Sequence, residues 1–224
     1  MLDWTPITLT FQLALLTAAL LLLVSIPLGY WLAYSRSRLK PVVETLVSMP
    51  LVLPPTVLGF YLLVIFSPNG SFGAWLERWL NVRFIFSFEG LVLASMIYSL
   101  PFMVQPRQAG LSSLPPSLKE AAYLLGKSRW TTLFRVLLPN IRASLLTGIV
   151  LAFAHTIGEF GVVLMIGGSI PGRTKVASIA VYEAVESLDY ATANLYAALL
   201  FAMTFLILLA VYLINGGYLS SLRK

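Results

Sequence analysis

From Ile7 to Tyr34 the chain carries no charged side chain. That run exceeds the ~20 apolar residues a helix needs to cross a hydrocarbon core. Backbone N–H and C=O groups in hydrocarbon have no water to bond, so a segment of this kind must satisfy them internally as a helix. Four more apolar stretches follow, at 42–66, 84–106, 143–167 and 192–215, interrupted only by Glu44, Glu89, His155 and Glu159. Composition agrees: 58% of residues are hydrophobic and 11% charged, where soluble domains carry roughly 25% charged residues. A chain so poor in charge cannot cover a water-facing surface. The expected fold is an all-α membrane protein, a polytopic bundle of about five transmembrane helices forming one membrane domain over 1–224. Met1–Pro6 contains no basic residue, and the apolar run outlasts the core of a signal peptide, so the first span is expected to be retained.

Five spans put the two termini on opposite sides. With the N-terminus outside, the inner face receives Arg36, Arg38 and Lys40, then Arg107, Lys119, Lys127, Arg129, Arg135 and Arg142, then Arg223 and Lys224. The outer face receives Arg78, Arg83, Arg173 and Lys175. Basic residues favour the cytoplasmic side, which selects N-out and C-in. The net charge of +6 is thereby explained by topology, without nucleic acid. There is no cysteine and one histidine, which excludes thiolate chemistry and a multi-histidine metal site within one chain. No Arg or Lys falls deep in any expected span, so the reading gives the pathway no fixed cationic site.

Two spans carry breaks. "MPLVLPPTVLGF", Met49–Phe60, holds Pro50, Pro54 and Pro55, each without an N–H. The freed carbonyls need partners from neighbouring helices or water. Such a break either lines a polar path, as broken helices do in transporters, or only shapes packing. "AFAHTIGEFG", Ala152–Gly161, places Glu159 inside a span, at a cost of about 2.5–3.5 kcal/mol on insertion scales. At i+4 from His155 it is expected to pair with that residue on one helix face. Glu159 stands near a gate or fixes packing. Gly158 and Gly161 permit a bend or a close backbone approach. Pro54, Pro55, Thr56, Thr156, Gly158, Glu159 and Gly161 are the pathway or gate candidates, with Ser48 beside them on chemistry alone. Beyond this span, Gly167, Gly168, Pro171 and Gly172 mark an outer turn, and "VASIAVYEAVES" reads as an amphipathic helix.

The inner loop, about 107–142, contains "EAAYLLGKSRWTTLFRVLLP", Glu120–Pro139. Ala121–Ser128 spells a P-loop-like Ala-x-x-x-x-Gly-Lys-Ser, but a P-loop needs a flexible turn after a strand. Here the stretch follows a double proline and is rich in helix formers. Ser117 with Glu120 three residues on reads as a capping box. Leu118, Ala121, Ala122 and Leu125 then share an apolar face. Gly126 suits the C′ position, Ser128 caps a second helix, and Pro139 ends it near Leu138.

Glu120-Ala121-Ala122, Gly126 four residues beyond, and the Leu-Pro ending at Pro139 resemble the EAA loop of ABC importer permeases. "PLVLPPTVLGFYLL", Pro50–Leu63, and "LAFAHTIGEFGVVLMIGGSIPGRT", Leu151–Thr174, are similar to molybdate-type permeases, with sulfate and tungstate permeases as the alternatives. The resemblance extends over most of the chain. It implies a non-catalytic subunit of a type I importer in a bacterial or archaeal cytoplasmic membrane. Two copies of the chain would work with two cytosolic ATPase subunits, which hold ATP and Mg, and with an external molybdate-binding protein. The chain itself would hold no cofactor or metal. Glu120, Ala121, Ala122, Gly126 and Pro139 would form the coupling element, with Glu120 capping the helix and Ala121 and Ala122 giving a small docking surface. An ion channel or secondary transporter would explain the spans but not the hairpin. An intramembrane enzyme would have only His155 and Glu159 as deep titratable groups.

Overall fold

A computed structural model describes residues 3–215; Arg223 and Lys224 lie outside them. The described residues are helical, with no strand among them. Helix α1 (Thr5–Tyr34) begins with Pro6 in its first turn, where the missing N–H costs nothing. Helix α2 (Lys40–Ser48) runs through a 3₁₀ turn, Met49–Leu51, before α3 (Pro55–Phe66) and α4 (Ser71–Leu80). Helix α5 (Phe88–Ser113) starts at Ser87, whose hydroxyl accepts from the Gly90 N–H at 3.1 Å. The hairpin that follows α5 consists of α6 (Pro116–Leu124) and α7 (Arg129–Thr132), a π turn over Leu133–Leu137, and α8 (Leu138–Asn140). Helices α9 (Arg142–Ile157), α10 (Gly161–Gly167), α11 (Ala177–Glu186) and α12 (Tyr190–Asn215) complete the order.

Among the described residues three helices are long and apolar enough to cross a membrane: Thr5–Tyr34, Phe88–Ser113 and Tyr190–Leu213. Two bent pairs bring the number to five if each counts as one span. They are Lys40–Leu51 with Pro55–Phe66, bent by 112°, and Arg129–Asn140 with Arg142–Ile157, bent by 80°. The first bend falls where Pro50, Pro54 and Pro55 remove successive N–H donors. Its two halves do not form one rod.

Helix α5 is the axis of the bundle, packed against α1 on one side and α9 on another. Half of its most apolar window is buried, against 6% for α12, which packs on α11 and α9 along one side and leaves the rest exposed or half-buried. Small residues let the inner helices approach closely: Ala14, Ala94, Ala152, Thr17, Ser25 and Ser95 are each sealed from solvent. Helix α2 is tied to α5 by Gln108 Nε2, which donates to Glu44 at 2.5 Å, and by Ser48, which accepts from Gln105 Nε2 at 3.2 Å.

Two expectations about the spans are corrected by the structure. The helix of the third span continues through Pro106 to Ser113, so Arg107 is a helix residue rather than a loop charge. Its side chain is fully buried, with Nη1 donating to the Leu22 carbonyl at 3.4 Å and Nη2 to Met103 Sδ at 3.2 Å. A buried cation therefore does exist in the bundle, sealed between α1 and α5. The fourth span is not one helix: α9 stops at Ile157, and α10 starts at Gly161. At 16 residues, α9 is roughly 24 Å long, short of the ~30 Å hydrocarbon core. The second arm of the hairpin ends at Asn140, two residues past Leu138. The Leu138 N–H bonds to the Leu133 carbonyl in an i→i+5 pattern, and this wider turn carries the helix past Pro139 to Asn140.

Candidate functional site

The hairpin of α6 to α8 is built around a tight helix end. Gly126 has φ +70, a left-handed conformation that glycine adopts without strain. Its N–H donates to the Tyr123 carbonyl at 2.9 Å and the Lys127 N–H to the Ala122 carbonyl at 3.0 Å. This is the Schellman pair that satisfies the last carbonyls of a helix. Ser128 then caps α7, accepting from the Thr131 N–H at 3.2 Å. Ala121–Leu124 is helical, so its amides are committed to the helix and cannot cradle a phosphate.

The helix start differs from the capping box. Pro115 is the N-cap and Pro116 the first helical residue, with no side-chain cap bond. Proline's fixed φ pre-sets the first turn, which places Ser117 and Glu120 inside the helix and leaves Glu120 exposed. The two alanines also part company. Ala121 is exposed, whereas Ala122 is 4% exposed, on a helix that packs against the π turn and α7. Leu125 does not face inward with it. Leu124 is 88% exposed and Leu125 75%, with Trp130 and Phe134 exposed on the second arm. The hairpin thus closes over Ala122 and offers an apolar tip of Leu124 and Leu125. Pro139 is exposed at the hairpin's far end.

An anchor not seen in the sequence holds α6 to α1. Lys119 Nζ lies 4.1 Å from the ring centroid of Tyr34, 5.5 Å from Tyr30 and 5.9 Å from Tyr123. Tyr34 also donates its hydroxyl to the Leu111 carbonyl at 3.0 Å. The i,i+4 spacing of Tyr30 and Tyr34 at the end of the first span was the available signal.

Apart from Glu159, the pathway candidates divide into three groups. Pro55 and Gly161 meet: a Cβ on Gly161 would lie 2.8 Å from the Pro55 Cβ, so the broken second span rests directly on the start of α10. Thr156 is buried and donates to the Ala152 carbonyl at 2.8 Å. It shares Ser99 Oγ, 3.1 Å away, with His155 Nδ1 at 3.0 Å. The His155 ring lies between Phe102, 4.2 Å away, and Tyr98, 4.8 Å away. Pro54, Thr56 and Gly158 are exposed, and nothing lies closer than 3.9 Å to a Cβ on Gly158, so close approach belongs to Gly161 alone.

Glu159 does not pair with His155, because the helix ends between them. Its Oε1 accepts from the Val162 N–H at 2.8 Å, capping α10 where a negative charge suits the helix dipole. Its carbonyl accepts from Ser178 Oγ on α11 at 2.6 Å, and Phe160 packs on Tyr182 of α11 at 5.0 Å. The break at 158–160 is therefore joined both to α3 and to α11. No group of three or more His, Cys, Asp or Glu residues that could hold a metal occurs among the described residues.

Residues 25–222 match the family model described as "Binding-protein-dependent transport system inner membrane component". The chain belongs to this permease family. A "Molybdenum transport system permease protein ModB" of Azotobacter vinelandii is 46% identical, covering 94% of this permease and 93% of the relative. A "Sulfate transport system permease protein CysT" of Escherichia coli is 30% identical over 93% of this permease and 76% of its own length. Among solved structures, the permease chain of the MetNI methionine ABC transporter in inward-facing form superposes with a TM-score of 0.73 at 15% identity, covering 95% of this permease and 94% of that chain. The fold of this permease is thus that of ABC transporter membrane subunits.

Proposed function

We propose that this permease moves molybdate inward by alternating access, driven by ATP that separate subunits hydrolyse. The observation that carries the reading of cargo is the relative at 46% identity across nearly the whole chain, whose printed name is a molybdenum permease. In this reading residues 1–224 act as one membrane domain, with the N-terminus outside and the C-terminus in the cytoplasm. Two copies work with two ATPase subunits, which bind ATP and Mg, and with an external molybdate-binding protein. This chain is non-catalytic and holds no cofactor.

The mechanism follows from the hairpin and the breaks. The tip formed by Glu120, Ala121, Leu124 and Leu125 docks on an ATPase subunit. The Gly126 turn and the Ser128 cap keep the hairpin stiff, so a displacement of the tip passes into α1 and α5 rather than being absorbed. The packed contact of Pro55 on Gly161 is the point about which the broken spans change angle. Glu159, as the cap of α10, moves with that helix and couples the break to α11 on the outer side. Ser99, His155 and Thr156 form a polar cluster at the level of the break, and the oxyanion passes hydroxyls, backbone dipoles and water. The sealed position of Arg107 keeps its charge from trapping the anion.

The sulfate relative supplies the competing cargo. Uptake of labelled molybdate into proteoliposomes carrying the complete transporter and its binding protein tests the choice. Unlabelled molybdate and tungstate are expected to compete and sulfate to fail. Competition by sulfate at equal concentration would transfer the assignment to sulfate.

A further inference from the structure

At the inner end of α1 a cavity of about 310 Å³ opens between the bundle and the hairpin. Its walls include Tyr30, Trp31, Tyr34 and Tyr123, and its cations are Lys119 and Arg129. No carboxylate lines it, and neither cation has an acidic partner among the described residues. The charge is only partly met from within. Lys119 lies over tyrosine rings, and the carboxyl end of α1 supplies the equivalent of roughly half a negative charge. Two full positive charges exceed that. The cavity is a basic recess with an aromatic lining and no anion of its own.

Its depth identifies the source of the missing anion. The charge-free run of α1 ends at Tyr34, and Arg36, Arg38 and Lys40 follow at once. Tyr and Trp favour the boundary between hydrocarbon and water, so Tyr30 and Trp31 mark that boundary. Basic recesses at this level on the cytoplasmic side suit anionic headgroups. We infer that this cavity binds the phosphate of an anionic phospholipid, with Lys119 and Arg129 taking the phosphate and the aromatic walls taking the glycerol and upper acyl carbons. The lipid would then join the coupling hairpin to the inner leaflet beside α1. The inference concerns lipid binding alone and stands whichever oxyanion the permease carries.

The full-length chain in neutral detergent, incubated with phosphatidylglycerol or phosphatidylcholine and analysed by native mass spectrometry, tests it. Phosphatidylglycerol should be retained in preference. Lys119→Gln and Arg129→Gln should each reduce that retention by about fivefold, and Lys119→Arg should restore it. Arg129 lies outside the tyrosine cage, so Arg129→Gln decides the matter if Lys119→Gln disturbs the hairpin. Equal retention of the two lipids, or retention unchanged in both glutamine variants, would overturn the inference. Displacement of phosphatidylglycerol by millimolar inorganic phosphate or molybdate would assign the recess to a soluble oxyanion and overturn the lipid source.

Discussion

A single methyl group separates two glycines that look alike in the sequence. At Gly161 an added Cβ would lie 2.8 Å from the Pro55 Cβ and 3.3 Å from the Thr56 nitrogen, with backbone and ring atoms that cannot step aside. Gly161→Ala is expected to destabilise the permease by about 1–3 kcal/mol, the usual cost of overpacking. Gly158→Ala meets nothing closer than 3.9 Å and should melt like the parent. A thermal melt of the two variants in the same detergent separates them. Ser99 gives a second test. It is the shared partner of His155 Nδ1 and Thr156 Oγ1; Ser99→Ala leaves the part-buried His155 Nδ1 without that partner while Thr156 keeps its bond to the Ala152 carbonyl, at a cost of about 1 kcal/mol. A melt equal to the parent's would mean that the cluster does not hold α5 to α9.

The hairpin is best probed at its tip, because the buried alanine beneath it is structural. Ala122→Trp would force a large ring into a site that is 4% exposed, so loss of transport in that variant would report damage to the hairpin itself. Leu124→Asp changes a side chain that is 88% exposed and should abolish co-purification of the ATPase subunit while leaving the melting temperature of the chain unchanged. Retained co-purification would exclude the tip as the docking face. On the other side of the molecule, Lys175 and Glu183 form an ion pair that closes the turn onto α11. Burial pushes the Glu183 carboxyl up, but the hydrogen bond from Lys175, with the Ser169 hydroxyl and the Lys175 charge behind it, outweighs burial and leaves the carboxyl below its ordinary value. A lowered folded-state value means that this stabilisation is present above the ordinary carboxylate range and lost as the pH falls through the lowered value. Glu183 is more than a third exposed, so the effect is within ~1 kcal/mol. The parent should melt slightly above Glu183→Gln at neutral pH, and the gap should close on acidification below about pH 4. A gap that persists in acid would show that the pair contributes nothing through charge.

Across the whole molecule, what was legible in the sequence is what hydrocarbon enforces. Charge-free runs such as Ile7–Tyr34 have one physical solution, and the Gly126 turn and the Ser128 cap follow from local chemistry. Arg107 was illegible because a basic residue after Pro106 reads as loop, whereas α1 supplies a carbonyl that lets the helix continue around it. The break at 158–160 hid inside an apolar run, since Glu159 finds its partner in the α10 amides rather than in His155. The contact of Ser99 with His155 spans two helices and leaves no local pattern, and the burial of Ala122 depends on how the π turn folds back. In the proposed mechanism the exposed hairpin tip transmits ATP hydrolysis to the membrane bundle. The most direct test measures ATP hydrolysis and molybdate uptake together in proteoliposomes containing the complete transporter with the parent chain or with Leu124→Asp. Binding-protein-dependent uptake is expected in the parent, and loss of uptake, with loss of its link to hydrolysis, in the variant. Unchanged uptake in the variant, or uptake in the parent without ATP, would contradict this mechanism.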